Sequence, residues 1–256
     1  MFSRIEKYGA LNSHDLVKVV ALVIMTIDHV GAYLLPDDLW WRAVGRITFP
    51  VWFFLIGYAR TNRIGADLRW GAVILIGANL WAYYPLFPLN ALVSIMVCRL
   101  LLRLADRFAL IEKRPLECFV VLFFANVVLT LFWEYGTLAV MFAFGGRMVR
   151  MGLVGWTYAL FWVLATLSFV LWQSAAFDFT QTQLAFVTFG TAAVCVALYN
   201  YEQADLGVRL PRAIDFTVKL LSRYSLEYYV VHRVLFQMIA AYLLVNHAHV
   251  FRLFYE

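Results

Sequence analysis

The chain has 256 residues, 64% of them apolar and only 14% charged, with a mean hydropathy of +0.76. A soluble domain of this length is roughly half apolar and a quarter charged, and an excess on this scale would leave large apolar patches facing water. The composition excludes an ordinary soluble domain and points to an all-α, polytopic helical bundle in lipid, one domain over residues 1–256. The formal net charge of +5, from 21 basic and 16 acidic residues, reads as a bias in the loops and not as evidence for nucleic-acid binding, so no nucleic-acid partner is expected. Cys98, Cys118 and Cys195 lie singly in apolar runs, with no Cys/His spacing suggestive of a metal site or disulfide framework.

Residues 1–14 lack an apolar core, so no cleavable signal is expected. A spanning helix needs roughly 20 mostly apolar residues. Runs of that kind are predicted near 14–35, 43–60, 68–86, 88–106, 115–132, 135–149, 152–173, 182–200 and 225–246, about nine spans in all. Turn chemistry separates them at Pro36-Asp37-Asp38, Pro85 with Pro88, Pro115, Gly152 and Pro211.

The charges orient these spans. Cytoplasmic loops are enriched in Lys and Arg. With the N-terminus inside, carrying Arg4 and Lys7, the even-numbered loops hold the basic residues. These are Arg60, Arg63 and Arg69; Arg107, Lys113 and Arg114; Arg147 and Arg150; then Arg209, Arg212, Lys219 and Arg223. The loops around Leu86, Glu134 and Gln173–Gln183 carry none. The expected location is the bacterial inner membrane, N-terminus cytoplasmic and C-terminus outside. The stretch 201–224 reads as an amphipathic connector along the cytoplasmic surface. Arg42 and Arg46 break the pattern: they share a helical face at i and i+4 on the outer side. They pair either with Asp37 or Asp38, or with an anionic or polar group inside the protein.

Ionisable groups within a span are costly and are functional candidates by default. In the first span, LVKVVALVIMTIDHVGAYLL, Lys18 and His29 are eleven residues apart, close to three helical turns and about 16 Å on one face. Histidine suits proton transfer near neutral pH. Asp28 points about 100° away from its neighbour, so a direct Asp28–His29 dyad requires a break in the helix, for which Gly31 is the available residue. In the last span Tyr228 and His232 share a face, while Glu227 and Arg233 lie elsewhere on the helix. His247 and His249 read as surface residues. Asn90 and Glu134 interrupt apolar sequence on the same outer side as His29 and Arg46. Asn79, Asn126 and Arg99 add polarity without an assigned role at this level.

These pieces together resemble the TraX family of membrane acetyltransferases associated with conjugative pili. The resemblance rests on Lys18-x10-His29, GRITFPVWFFLIGYA from Gly45, Leu89-Asn90, Glu134-Tyr135-Gly136, Leu198-Tyr199-Asn200 and Tyr228…His232, in order along essentially the whole chain. Glu134 stands where the family often has Asp, and Tyr-Glu-Gln follows Asn200 where the family often has a basic turn. The sequence is also similar to the wider acyltransferase 3 group, whose first span carries the basic-x10-His pattern and which has paired arginines, with Arg42 and Arg46 the counterparts here.

The resemblance implies transfer of an acetyl group from acetyl-CoA to an acceptor, most directly the N-terminal amine of a pilin. On that reading Lys18, Arg63 and Arg99 hold the nucleotide end of the donor. His29 is the general base and Asp28 orients it. Arg42, Arg46 or Asn90 hydrogen-bonds the oxyanion or the acceptor, and Glu134, Tyr228 and His232 complete the site. Two alternatives stay open: acetylation of a sugar hydroxyl on a cell-surface glycan, and a non-catalytic carrier or pilus-assembly protein.

Overall fold

The computed structural model describes residues 11–205 and 211–255, without the side chains of Arg212 and of residues 244–255. Arg4, Lys7 and Arg209, and the side chains of Arg212, His247 and His249, lie outside the described residues. Twelve helices follow one another among the described residues: α1 Ser13–Tyr33, α2 Leu39–Arg46, α3 Phe49–Tyr58, α4 Ala66–Trp81, α5 Ala91–Phe108, α6 Leu110–Lys113, α7 Pro115–Leu129, α8 Leu138–Arg150, α9 Trp156–Ala176, α10 Gln181–Tyr199, α11 Arg212–Arg223 and α12 Ser225–Tyr255. The described residues contain no strand, only isolated bridges, and the all-α class expected from composition is the class observed.

Helices α1, α9 and α10 are long and apolar enough to cross a membrane, and α7 is apolar but shorter. The apolar run at 43–60 is not one span. It divides into α2 and α3 at Ile47-Thr48, because Pro50 sits in the first turn of α3 and contributes no N–H to a continuing helix. At about 1.5 Å per residue, α3 is roughly 15 Å long, half of a hydrocarbon core about 30 Å thick. Helix α1, by contrast, runs unbroken through Gly31 to Tyr33. Gly31 serves packing instead: a Cβ there would lie 2.5 Å from the Cβ of Trp41, and one at Gly45 2.1 Å from the Cβ of Asp28. The two glycines let α2 fold back directly against α1.

The core sits where the two short helices cross. Every residue of α8 from Leu138 to Met148 is buried. Its closest neighbour is α3, with α5, α7, α9 and α10 packed around it. A Cβ on Gly57 would lie 1.7 Å from the Ala143 carbonyl oxygen, and one on Gly146 2.1 Å from that of Phe54. Small residues that let backbones touch are the usual means of helix association where no hydrophobic drive exists. Long apolar side chains point the other way: Trp70, Val121, Phe124, Leu171, Phe189 and Val231 are all well exposed. Helix α12 docks against α1 and α4, and α11 lies along α1.

Two loop contacts fix the ends. Asn12 caps α1 through the Asp15 amide, and Ser13 N–H donates to the Ala204 carbonyl, so the start of α1 meets the 202–205 segment. At the opposite end, Leu89 and the 132–134 segment exchange backbone hydrogen bonds of 2.9 and 2.7 Å.

The crossing is testable with one methyl group. Gly57→Ala and Gly146→Ala are each expected to lower the melting temperature of the detergent-solubilised protein, by an overpacking cost of about 1–3 kcal/mol. Gly77→Ala, on α4 with nothing within 4 Å of the added Cβ, is expected to leave it unchanged or slightly raised.

Candidate functional site

Toward the Tyr33 end of α1, two buried ion pairs stand side by side. Arg42 Nη1 donates to Asp28 Oδ2 and to the Asp28 carbonyl, both at 2.8 Å. Arg46 Nε lies 3.5 Å from Asp28 Oδ1. The two guanidinium groups, one turn apart on α2, sit 5.3 and 4.9 Å from the centre of the Phe177 ring. The anionic group inside the protein is therefore Asp28. Asp38 has a different task, capping α2 through the Trp40 amide at 3.0 Å.

The second pair joins the α7–α8 turn to α12. Glu134 accepts from Arg233 through both carboxylate oxygens, at 2.7 and 3.1 Å. Arg233 also donates to the hydroxyls of Tyr229 at 2.6 Å and Tyr33 at 3.2 Å. The turn is held by the Leu89 contact and by the Ser94 hydroxyl, which donates to the Glu134 carbonyl. Tyr135 in this turn has φ 70°, a left-handed conformation that side chains rarely adopt and that often marks functional turns. Its ring lies 5.8 Å from the Arg46 guanidinium.

His29 and His232, 203 residues apart in sequence, meet between the two ion pairs. His29 Nδ1 and His232 Nε2 are 2.7 Å apart, and His232 Nδ1 is 2.7 Å from the Tyr228 carbonyl oxygen. The side chains of Tyr228 and Thr26 are joined by a 3.1 Å hydrogen bond. Helix geometry explains why Asp28 does not partner His29: successive side chains diverge, so Asp28 faces α2 while His29 faces α12.

Two cavities converge on this centre. The larger, 270 Å³, is lined near the start of α1 by His14, Lys18, Asp67 and Arg99, and then by Trp52, Phe53, Met25 and Leu92. It ends at Asp28, His29, Arg46 and Tyr135. The smaller, 230 Å³, contains those same four residues together with Tyr33, Arg42, Glu134 and Arg233. Among the described residues, ten buried side-chain polar atoms lack a hydrogen-bond partner. Five of them, His14 Nδ1, Asp28 Oδ1, Arg46 Nε, Trp52 Nε1 and Arg99 Nε, belong to residues lining the larger cavity. Three of those five can only donate, which suits a ligand rich in carbonyl or phosphate oxygens. No group of three or more His, Cys, Asp or Glu able to hold a metal is found among the described residues.

The sequence-derived candidates divide accordingly. Asp28, His29 and Arg46 stand at the junction, Arg42 and Glu134 line the smaller cavity, and Lys18 and Arg99 line the larger. His232 and Tyr228 act on His29 from behind. Arg63 is exposed and touches the site only through its carbonyl, which accepts from Arg99 Nη1. Asn90 is not among the residues lining either cavity: its Oδ1 accepts from the Leu92 amide at 3.1 Å, capping α5, and its Nδ2 donates to the Ala72 carbonyl at 3.0 Å. Arg233, Tyr135 and Trp52 line the cavities without having been assigned a role from sequence. Arg233 carried a signal, a charge within an apolar run, and Tyr135 stood only within the Glu134-Tyr135-Gly136 motif.

The architecture and site define an α-helical membrane protein with paired buried charges where two cavities meet. The TraX protein family matches residues 13–240, and the chain belongs to that family. It is 25% identical over 225 residues to an uncharacterized protein of Rickettsia prowazekii (strain Madrid E), covering 84% of this chain and 81% of that one. It is 30% identical over 79 residues to Protein TraX of Escherichia coli (strain K12), covering 29% of this chain and 31% of that one. No solved structure matches.

Breaking a buried ion pair by removing one partner leaves the other charge uncompensated, at a cost on the order of 3 kcal/mol. Arg233→Leu is expected to destabilise the purified protein strongly in thermal unfolding. Arg233→Leu combined with Glu134→Leu is expected to recover part of that loss; a double variant worse by the full sum of the singles would show that the pair is not coupled.

Proposed function

We propose that the protein is a multi-pass membrane acetyltransferase that moves the acetyl group of acetyl-CoA onto an acceptor amine, the N-terminal amine of a pilin in the first instance. The observation that carries this reading is the pair of cavities sharing Asp28, His29, Arg46 and Tyr135. A group transfer needs donor and acceptor to reach one centre by separate routes, and a pair of cavities meeting at a base and a guanidinium provides that.

The donor occupies the larger cavity. Its phosphates lie against Lys18 and Arg99, its pantetheine arm passes Trp52, and its thioester reaches His29. The unpartnered N–H groups of Arg99 and Trp52 suit the phosphate and amide carbonyl along such a ligand, and the Arg46 guanidinium stands at its thioester end. The acceptor enters through the smaller cavity. Its nitrogen lone pair attacks the thioester carbonyl carbon while His29 takes a proton from that nitrogen, general-base chemistry that contributes about 10²–10⁴ in rate. Arg46 faces the developing oxyanion, the position where preorganised donors matter most. The tetrahedral carbon then expels the CoA thiolate as the C–S bond breaks, and His29 returns the proton to the sulfur.

In this reading the basic loops Arg60–Arg69 and Arg107–Arg114 face the cytoplasm, where acetyl-CoA is made, and the smaller cavity opens on the opposite side of the inner membrane. Cross-contacts among the basic loops support their common placement. Arg147 pairs with Asp106 at 3.3 Å and with Asn62 at 3.0 Å, and Arg150 donates to the Tyr58 carbonyl at 2.7 Å.

Purified protein given acetyl-CoA and a pilin-like peptide with a free N-terminal amine is expected to yield acetylated peptide. His29→Ala should lower the turnover by about 10²–10⁴-fold while the protein still folds. Turnover with a sugar acceptor but not the peptide would move the assignment to glycan acetylation, and failure to bind acetyl-CoA would overturn the enzyme reading. Trp52→Phe removes one donor while keeping most of the ring. It is expected to weaken acetyl-CoA binding by roughly 2- to 10-fold in a titration, matching one hydrogen bond of about 0.5–1.5 kcal/mol.

A further inference from the structure

We propose that His232 is a positioning residue that fixes the tautomer of His29, so that Nε2 of His29 is the atom that takes and returns the proton. The inference rests on the acetyl-transfer reading for its rate consequence, while the tautomer itself is a statement about the resting protein.

The argument starts from an oxygen that can only accept. The Tyr228 carbonyl lies 2.7 Å from His232 Nδ1, so Nδ1 of His232 carries its ring proton. A neutral imidazole has one N–H and one lone pair, which leaves the lone pair of His232 on Nε2. That lone pair faces His29 Nδ1 at 2.7 Å, so Nδ1 of His29 is the donor. The single remaining nitrogen of His29, Nε2, then holds the free lone pair, and His29 lines both cavities. The polarity of the whole chain is set by one backbone carbonyl on α12.

The orientation is enforced sterically as well. The Tyr228 ring stacks on His232 at 5.0 Å between centroids and an interplanar angle of 29°, and Phe236 meets it edge-on at 5.6 Å. His29 lies 4.9 Å from His232 at 28°, with Tyr229 5.8 Å away. A ring flip of either histidine would set its carbon edge against a hydrogen-bonding nitrogen. The charged neighbours on the other elements do not compete for these nitrogens. Arg233 is engaged by Glu134, Tyr229 and Tyr33, and Asp28 by Arg42 and Arg46. His232 thus does for His29 what the outer partner of a catalytic histidine generally does, with a neutral acceptor in place of a carboxylate.

The test uses the full-length protein in lipid bilayers, labelled with ¹⁵N-histidine, of which the chain contains five. Magic-angle-spinning NMR, with the ring signals assigned by single variants, reports which nitrogen of each ring is protonated. The expected result is a protonated Nδ1 and bare Nε2 for His29, with scalar coupling across the N–H···N bond to His232. Protonated Nε2 on resting His29 would overturn the proposal whether or not the protein transfers acetyl groups. In turnover, two variants of similar polarity separate positioning from packing. The carbonyl oxygen of His232→Gln reaches the Nε2 position and keeps an acceptor for His29, so activity within about 10-fold of wild type is expected. His232→Asn is too short to do so, and is expected to lose about 10²-fold or more, the scale of an impaired general base. Equal activity of the two variants, both near wild type, would overturn the proposal. Absence of acetyl transfer by the wild type would overturn the function proposed above and leave the NMR result standing on its own.

Discussion

A charge placed in a low-dielectric interior must find a partner, and most of the local architecture around the site satisfies that condition for Asp28 and Glu134. An isolated ion there would cost several kcal/mol even after relaxation, so α2 delivers two arginines to Asp28 and α12 delivers Arg233 to Glu134. These pairs are weak evidence for net stability, because apolar replacements of equal volume often do as well. Their structural consequence is register. Asp28 fixes α2 against α1, Glu134 fixes the α7–α8 turn against α12, and His29 and His232 are brought face to face between them. Moving α12 by one residue would lose the Arg233 pair and the histidine contact together.

The second requirement is space, and the glycine crossing at the centre provides it. With Gly57 against Ala143 and Gly146 against Phe54, the backbones of α3 and α8 touch, and Phe49 meets Phe142 edge-on at 5.6 Å in the same crossing. The side of α3 turned away from Gly57 presents Trp52 and Ile56 to the larger cavity. A continuous helix over 43–60 would have carried Arg46 along the same axis as these residues. The break at Ile47-Thr48 instead turns α2 back onto α1 and aims Arg46 at Asp28, where the two cavities meet.

The helical class and the approximate limits of most helices were legible because apolar runs and turn residues are local signals. The shared face of Lys18 and His29 was legible for the same reason, since helical periodicity alone places both toward one cavity. What failed was information carried by other elements. ITFPVWFF is apolar apart from Thr48, so Pro50 was the main mark of the break, and a proline in a first turn also fits an unbroken reading of the neighbouring run. The bond from Asn90 to the Ala72 carbonyl joins two helices and is a contact made only after folding. That the Arg63 carbonyl holds Arg99 is a backbone contact with no local signal in the sequence. Tyr135 stood out only as part of the Glu134-Tyr135-Gly136 motif; its place beside Arg46 comes from a left-handed turn held by Leu89 and Ser94.

The separation of roles between Asp28 and His29 follows from a single step along α1. Adjacent helical residues point about 100° apart, so one helix can hold an acid and a base side by side in sequence while binding them to different partners. The carboxylate turns to α2, where it is the shared counter-ion of two guanidinium groups, Arg42 at 2.8 Å and the Nε of Arg46 at 3.5 Å. The imidazole turns to α12, where a second imidazole holds it. Had the carboxylate reached the histidine instead, Arg42 and Arg46 would be left buried without a counter-ion, and the site would gain a stronger base at the expense of an uncompensated pair of positive charges. The observed division keeps a guanidinium and an oriented imidazole in the same small volume where the two cavities meet, each with its own support.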